Sequence, residues 1–535
     1  MKLVSVAEMR AIEREANDRG WTYAQMMEKA GQGLAEIVES FYGYEERQIA
    51  AGLVGSGNNG GDTLVALEAL AKDGWQVRAY LVRPRPEDDP LVLRLKAAGG
   101  EVVQAEADPA FGTLDAWLSE AVVLLDGVLG TGVHLPLNPE VAKILGYVKA
   151  SPGLPDVVAV DCPSGVDLDS GEAAEETIPA NVTVCMAAVK TGLLRFPAYS
   201  LAGTIEVVDI GLPEGIKSWE EIRQQTVSEG MVSEILPERP PDGHKGTFGT
   251  VGVVAGSLSF TGAAYLCSGA AYRIGAGLVQ IAAPVQLHAA LAGQIPEATW
   301  VVLPDEAGVI AAEAAGVLAK RLERVTVLLW GPGLGMADTT AAFVRRLVEG
   351  NLEQGQGFGF APASSTQAPE TAKKLPPMVI DADGLKLMAR VENWPEKLPG
   401  TAVLTPHPGE MAILTGLSVA EIQADRLGVA AKYAKEWGHV VVLKGAMTVI
   451  AEPGGQVRVI PIATSALAHG GTGDVLGGMI AGLRAQGMTA FDAAVAGAWI
   501  HAQAGLVAAE QLGHEASVLA GDLIEALPEV LAWVW

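Results

Sequence analysis

Apolar residues along this chain fall into short runs and helical stripes that alternate for most of its length. Residues 5–42 carry Met9, Ile12 and Ala16 at helical spacing, then Met26, Met27, Ala30 and Leu34 in a second stripe. Ser5 with Glu8 fits a capping box, and Gly20 ends the first helix. Strand-like runs follow at 49–54, 76–82, 121–126, 157–161, 182–186 and 205–209, with helical stretches at 63–72 and 139–149. Such alternation predicts a parallel sheet covered on both faces. The pattern breaks at 211–245, where Pro213, Pro237, Pro240, Pro241 and a charged run at 219–224 read as a linker. A second series starts at 250–255 and continues through 278–283, 325–330, 378–380, 402–404 and 440–443, ending in helices near 474–485 and 491–510. Residues 350–377, rich in Gln, Gly, Ser, Ala and Pro, read as a mobile surface insertion. Two α/β domains account for this: 1–215, a linker at 216–240, and 241–535.

Composition sharpens that picture. The chain has 535 residues, too many for one core, and is 49% hydrophobic but only 5% aromatic. Its 64 glycines sit mostly at strand ends and helix starts, where ligand-binding loops form. A net charge of -26 argues against nucleic-acid and anionic-membrane partners, yet leaves room for a phosphate held by backbone N–H groups. Cys162, Cys185 and Cys267 have neither metal-ligand nor redox spacing, which suits a reducing cytoplasm. The N-terminus has no signal-peptide core, and no apolar run reaches the ~20 residues of a membrane span.

The sharpest early motif is Asn58-Asn59-Gly60-Gly61-Asp62, between a buried strand and a helix. Ligands of open α/β sheets sit beyond the carboxyl ends of strands, where free helix N–H groups meet anions. A plain turn needs one Asn or Gly; two amides and a carboxylate point to a site. Asp126, followed by the glycine-rich 127–132, and Asp161, which starts Asp-Cys-Pro-Ser-Gly-Val-Asp, end two more strands on the same edge. In the second half, Gly470-Gly471-Thr472-Gly473-Asp474 precedes a helix, making an anion pocket with Asp474 as a base in the first turn. The position at the positive helix end is expected to keep Asp474 ionised. Further strand ends carry Gly331–Gly335, Asp381-Ala382-Asp383, Thr405–Glu410 and Lys444–Thr448, a set suited to a nucleotide crevice.

Together, the NNGGD, Asp126 and DCPSGVD motifs of residues 1–215 resemble the YjeF N-terminal family of NAD(P)H-hydrate epimerases. Residues 241–535 resemble the ribokinase-like ADP/ATP-dependent NAD(P)H-hydrate dehydratases, on HKGTFGTVGVVAGS, FTGAAYL, GPGLG, DADGL, TPHPGE, KGAMT and GGTGD in order. The resemblance implies an N-terminal Rossmann-like three-layer domain and a C-terminal ribokinase-like α/β domain. It implies that Asn58, Asn59, Gly60, Gly61, Asp62 and Gly130, Thr131, Gly132, Val133, His134, Leu135, Pro136 hold the hydrated dinucleotide, with Asp161 as acid/base residue. It implies a potassium ion on Asn59, Asp126 and Ser164, oxygen donors that suit a hard cation. Lys190 is a weaker candidate, the alternative being a solvated lysine near a strand end. Thr63 replaces the glycine that usually follows NNGGD. In the second domain, Ala263, Gly333, His407 and Asp474 would contact the hydrated dinucleotide; Lys444, Gly445, Ala446, Met447, Thr448 and Gly473 would contact ADP or ATP, brought with Mg2+. Asp161 and Asp474 are the implied catalytic residues.

The implied activity is repair of hydrated NADH and NADPH: epimerisation of the R and S hydrates, then nucleotide-dependent dehydration of the S hydrate, in a cytoplasmic homo-oligomer. A small-molecule kinase fused to a non-catalytic dinucleotide- or RNA-binding module is the alternative, since GTGD alone fits a kinase equally well.

Overall fold

The computed structural model describes residues 1–350 and 375–535; most of the insertion expected at 350–377 lies outside the described residues. The chain forms two compact units, 1–224 and 225–535.

The first unit is built on seven parallel strands, in the spatial order Glu101–Gln104, Gln76–Leu81, Ile49–Val54, Val123–Gly127, Asp156–Val160, Val182–Met186, Thr204–Val208. The two central strands are buried along their whole length, as apolar runs covered on both faces must be. Chain direction across the sheet reverses between these two, so their carboxyl ends open a switch-point crevice. One face packs on helices Val6–Asp18, Tyr23–Tyr42 and Asn58–Lys72, the other on Gly112–Glu120 and Pro139–Lys149, which gives the three layers. Ser5 and Glu8 close the expected capping box. A small parallel pair, Leu3–Val4 with Val189–Lys190, fixes the first helix beside the end of the main sheet.

The second unit carries a ten-stranded sheet. Seven strands run parallel in the order Val440–Leu443, Val403–Leu404, Met378–Ile380, Val327–Trp330, Thr250–Val254, Leu278–Pro284, Thr299–Leu303. Val449–Ala451 and Val457–Val459 extend it antiparallel, and Gln224–Thr226 forms the edge. Helices Thr261–Arg273, Thr472–Ala485, Ala490–Leu512 and Ala520–Val534 bury one face. Among the described residues no helix is long and apolar enough to cross a membrane.

Residues 216–240 are not the bare linker expected. Helix Lys217–Glu220 belongs to the first unit: the Glu15 carboxylate accepts from the N–H groups of Lys217 and Ser218, both at 2.9 Å, and so ties down a helix start that reads as solvated charge. Past the unit boundary, the Val227 N–H donates to Val459 O at 2.9 Å, and helix Glu229–Ile235 inserts the fully buried Val232 into the core. A fragment 225–535 should therefore melt above a fragment 241–535. Burying one valine is worth about 1.5 kcal/mol or more, before counting the lost edge pairing. Equal melting temperatures would return 225–240 to the status of a linker.

Candidate functional site

Three strand ends of the first unit bring the expected residues together. Helix Asn58–Lys72 begins at Asn58 with Gly57 as its N-cap and no side-chain cap, so its first N–H groups are free to meet an anion. The Asn59 amide donates to Leu129 O at 3.2 Å and to Val160 O, joining the carboxyl ends of the two neighbouring strands. Gly130 lies against that amide: a β-carbon there would fall 2.2 Å from Asn59 Oδ1. Asp126 is fully buried. Its Oδ2 accepts the Ser164 N–H at 2.8 Å, while Oδ1 has no partner. Burial pushes this carboxyl up, against the opposing bonds from Ser164 and Val128. The Ser164 hydroxyl accepts the Leu129 N–H at 2.9 Å, so Asn59, Asp126 and Ser164 meet around one short loop.

Thr63 resolves the departure from the family pattern. Its hydroxyl donates to Asn59 O at 2.7 Å and fills the space a side chain on Gly127 would need, while its methyl packs over Gly52. It is fully buried, packed on the two central strands.

Asp161 adopts a left-handed backbone, φ 67°, strained for a residue with a β-carbon. Its Oδ1 accepts the Met186 N–H at 3.0 Å and pairs with Lys190, whose ammonium also donates to Met186 O at 2.9 Å. Lys190 is fully buried, so the alternative of a solvated lysine does not hold. Burial works to strip its proton, but Asp161, Cys185 and Glu13 overcome that and hold its pKa above the ordinary value. Asp62, the fifth residue of helix Asn58–Lys72, is buried; burial first, then Asp161 and Glu13, push its carboxyl well above the usual carboxylate range. Glu13 rises as well, chiefly by burial. Sequence reasoning missed Glu13. It sits one place from the apolar stripe of its helix, and nothing local marks it as facing a site.

In the second unit, Asp381 follows strand Met378–Ile380 and is buried; its Oδ1 lies 2.6 Å from Lys444 Nζ, just past strand Val440–Leu443. Glu410 Oε2 stands 3.7 Å from the same ammonium, and Glu410 Oε1 is 3.3 Å from His407 Nε2. His407 caps helix Pro408–Thr415, its Nδ1 accepting the N–H groups of Gly409 at 3.0 Å and Glu410 at 3.3 Å. Lys444 is drained by burial, yet Asp381, Glu410 and Asp474 together raise its pKa. A β-carbon on Gly473 would lie 3.4 Å from Lys444 Nζ and 3.6 Å from Asp381 Oδ2, so the GGTGD turn closes over this pair.

Asp474 corrects an expectation. The helix start does not keep it ionised: burial first, then Asp381, lift it to about 7, with Lys444 opposing. Gly333 and Ala263 adjoin, since a β-carbon on Gly333 would lie 2.9 Å from that of Ala263. Ala264 is instead fully buried behind Gly256, so Ala263 is the alanine that reaches this loop. The Lys444–Thr448 turn is held by Gly445 at φ 143° and Met447 at φ 53°, with the Thr448 hydroxyl donating to Gly445 O at 2.8 Å. Arg426 anchors it from below through Leu443 O at 2.9 Å. Arg426 is the site residue sequence reasoning did not single out; Asp381 was placed at the crevice by its strand-end motif but given no role of its own.

Comparison with known proteins agrees with this division. Residues 251–529 match the family described as NAD(P)H-hydrate dehydratase, and residues 23–192 match the YjeF-related protein N-terminus. A protein of Moorella thermoacetica named bifunctional NAD(P)H-hydrate repair enzyme Nnr is 36% identical over 99% of this chain and 97% of its own length. One of the same name from Escherichia coli is 31% identical over 98% of this chain and 93% of its own. A solved ADP/ATP-dependent NAD(P)H-hydrate dehydratase of Bacillus subtilis, co-crystallised with ATP/Mg2+, is 30% identical, covering 58% of this chain and 98% of its own, with a TM-score of 0.47.

Removing Lys444 leaves Asp381 a buried, unpaired charge. Lys444→Met should cost about 3–5 kcal/mol in urea unfolding of the 225–535 unit, and Asp381→Asn in the same background should recover part of it. A Lys444→Met protein as stable as wild type would mean that the pair is not a structural element.

Proposed function

This chain belongs to the family of bifunctional NAD(P)H-hydrate repair enzymes, and on that premise we propose that its first unit epimerises hydrated NADH and NADPH while its second dehydrates the S hydrate with ADP or ATP. The observation that carries the reading is the likeness over 99% of the chain, joined to the two sets of strand-end carboxylates described above. The expected cytoplasmic location belongs to the same reading, because the reduced dinucleotides to be repaired circulate there.

In the first unit, the free N–H groups after Gly57 bind the pyrophosphate, and Asn58–Asp62 with Gly130–Pro136 line the dinucleotide. Asp161, held by Met186 N–H and Lys190, works as the acid/base group at the hydrated carbon. The residues fit a potassium ion: Asp126 Oδ1 is a buried oxygen with no partner, next to Ser164 and the Asn59 amide. Asn59, Asp126 and Ser164 would hold the ion, which would supply the counter-charge that lets Asp126 ionise in place.

In the second unit, the Lys444–Thr448 turn and Gly473 hold the nucleotide phosphates. Among the described residues no group of three His, Cys, Asp or Glu side chains is arranged for a metal. Mg2+ would come with the nucleotide and would offset the charge of its phosphates. Asp474 accepts the proton of the substrate hydroxyl as that oxygen attacks the terminal phosphorus of the nucleotide. Hydroxide is a poor leaving group and phosphate a good one. Loss of phosphate, driven by the ring nitrogen, and then of the neighbouring carbon's proton restores the double bond. A pKa of about 7 is near the best value for such a base, reactive enough to take a proton and ionised in a useful fraction at neutral pH.

Two outcomes test the assignment. Dehydration of the S hydrate should rise with pH through about 7, since the carboxylate form of Asp474 is the active one; Asp474→Asn should lose that limb and a factor on the order of 10²–10⁴ in turnover. Unchanged turnover would make Asp474 a cap, because Asn caps about as well as Asp. Asp161→Asn should abolish interconversion of the epimers and spare dehydration of the S form. Interconversion at the wild-type rate would remove Asp161 from the mechanism.

A further inference from the structure

We propose that His501 is a positioning residue of the dehydration: from the helix behind the GGTGD turn it holds the peptide between Thr472 and Gly473, so that the Gly473 N–H meets the phosphoryl group as it is transferred. The inference rests on the dehydratase reading above and adds to it the group that sets the anion pocket.

Helix Ala490–Leu512 carries Gly497, His501 and Gly505 four residues apart, on one face. Both glycines are points of close approach. A β-carbon on Gly497 would fall 2.8 Å from Ile480 Cγ1, on helix Thr472–Ala485, and one on Gly505 would fall 2.7 Å from Leu467 Cδ2, in the loop leading to GGTGD. Between them stands the imidazole of His501, 7% exposed, with Nε2 2.8 Å from Thr472 O. A carbonyl only accepts, so Nε2 carries the proton. The ring is neutral, its pKa pushed down to about 4 chiefly by burial. A polar ring buried in a seam otherwise made by glycine costs more than an apolar side chain would. Among the described residues the ring's one hydrogen bond goes to this carbonyl.

The peptide unit is planar and trans, so the Thr472 carbonyl and the Gly473 N–H point in opposite directions. Holding the first therefore aims the second. Thr472 opens the helix, which turns that N–H toward its free end, and among the described residues it has no acceptor. A β-carbon on Gly473 would lie 3.4 Å from Lys444 Nζ, so this peptide borders the Lys444–Asp381 pair. The Thr472 hydroxyl fixes the same residue through its side chain, donating to Leu467 O at 2.9 Å and to His469 O at 3.0 Å. A hydrogen bond accepted by the carbonyl also polarises the peptide and makes its N–H a stronger donor. Such a donor stabilises the charge on the oxygens of a phosphoryl group in transfer, and so acts on the transition state more than on the bound nucleotide.

Glutamine and asparagine separate reach from polarity at this position. In His501→Gln the amide nitrogen stands where Nε2 stood; in His501→Asn it falls short of Thr472 O. The full chain is given the purified S epimer of hydrated NADH with Mg2+ and ADP or ATP. His501→Asn should lower kcat for dehydration by a factor on the order of 10–10², while the KM for the nucleotide stays within about twofold of wild type. His501→Gln should recover most of kcat, and His501→Leu, which fills the space without a donor, should match His501→Asn. Wild-type kcat in His501→Asn or His501→Leu, a loss that His501→Gln shares in full, or a rise in KM without a fall in kcat would each overturn the proposal and make His501 a packing residue, leaving the dehydratase reading standing. Failure of wild type to recover NADH with release of phosphate would instead remove that reading, and the proposal with it.

Discussion

Each unit buries a lysine ammonium against an aspartate at the end of a parallel strand, Lys190 with Asp161 and Lys444 with Asp381, and the chemistry of each site is arranged around that pair. Burying either partner alone would cost several kcal/mol. The pair therefore has to form, and forming it pins two loops from different strands at one place. In the first unit the pinned loops carry Asp161 and Met186; in the second they carry the nucleotide turn and the DADGL segment. The remaining carboxyls near each ammonium then find its charge already spoken for. Asp62 and Asp474 are both lifted, by burial first and then by the neighbouring aspartate, with the ammonium opposing.

Parallel topology makes this arrangement possible. All strand carboxyl ends of one sheet point the same way, so groups distant in sequence, such as Asp381 and Lys444, arrive side by side without any local signal. Close backbone approach does the rest. Gly130 lets the second loop lie on the Asn59 amide, and Gly331, at φ 124°, lets the third-strand loop reach Asp381 O, which a β-carbon would approach to 2.0 Å. The helix that begins at Asn58 and the one that begins at Thr472 then aim free N–H groups into crevices already walled by carboxylates. On the reading proposed above, these helix ends take the phosphates of the dinucleotide and the nucleotide.

What could be read in the sequence follows from the same physics. The central strands were legible because a run buried on both faces is apolar throughout; the outer strands Gln224–Thr226 and Val457–Val459 were not, being only three residues long and carrying polar positions. The strand-end motifs, their order and the α/β class were legible because glycine and aspartate at a strand end have few other uses. Lys190 stood only as a weaker candidate, since nothing beside it in sequence shows that Asp161, twenty-nine positions earlier, would neutralise it. The ionisation of Asp474 was misjudged because the helix end was weighed and burial beside Asp381 was not. The stretch 216–240 looked like a linker because its core residues, Ile216, Val227 and Val232, are scattered among prolines and charged positions.

The central claim is that two unlike sites in one chain complete a single repair. The most direct measurement gives the full chain an equilibrium mixture of both hydrate epimers of NADH with ADP or ATP and Mg2+, and follows the absorbance of the reduced nicotinamide to its end point, with phosphate release measured alongside. The account predicts recovery of all the NADH, one phosphate per NADH, in two phases, the slower of which disappears in Asp161→Asn to leave only the S share recovered. A stable phosphorylated dinucleotide with no recovered absorbance, or full recovery in Asp161→Asn at the wild-type rate, would contradict it.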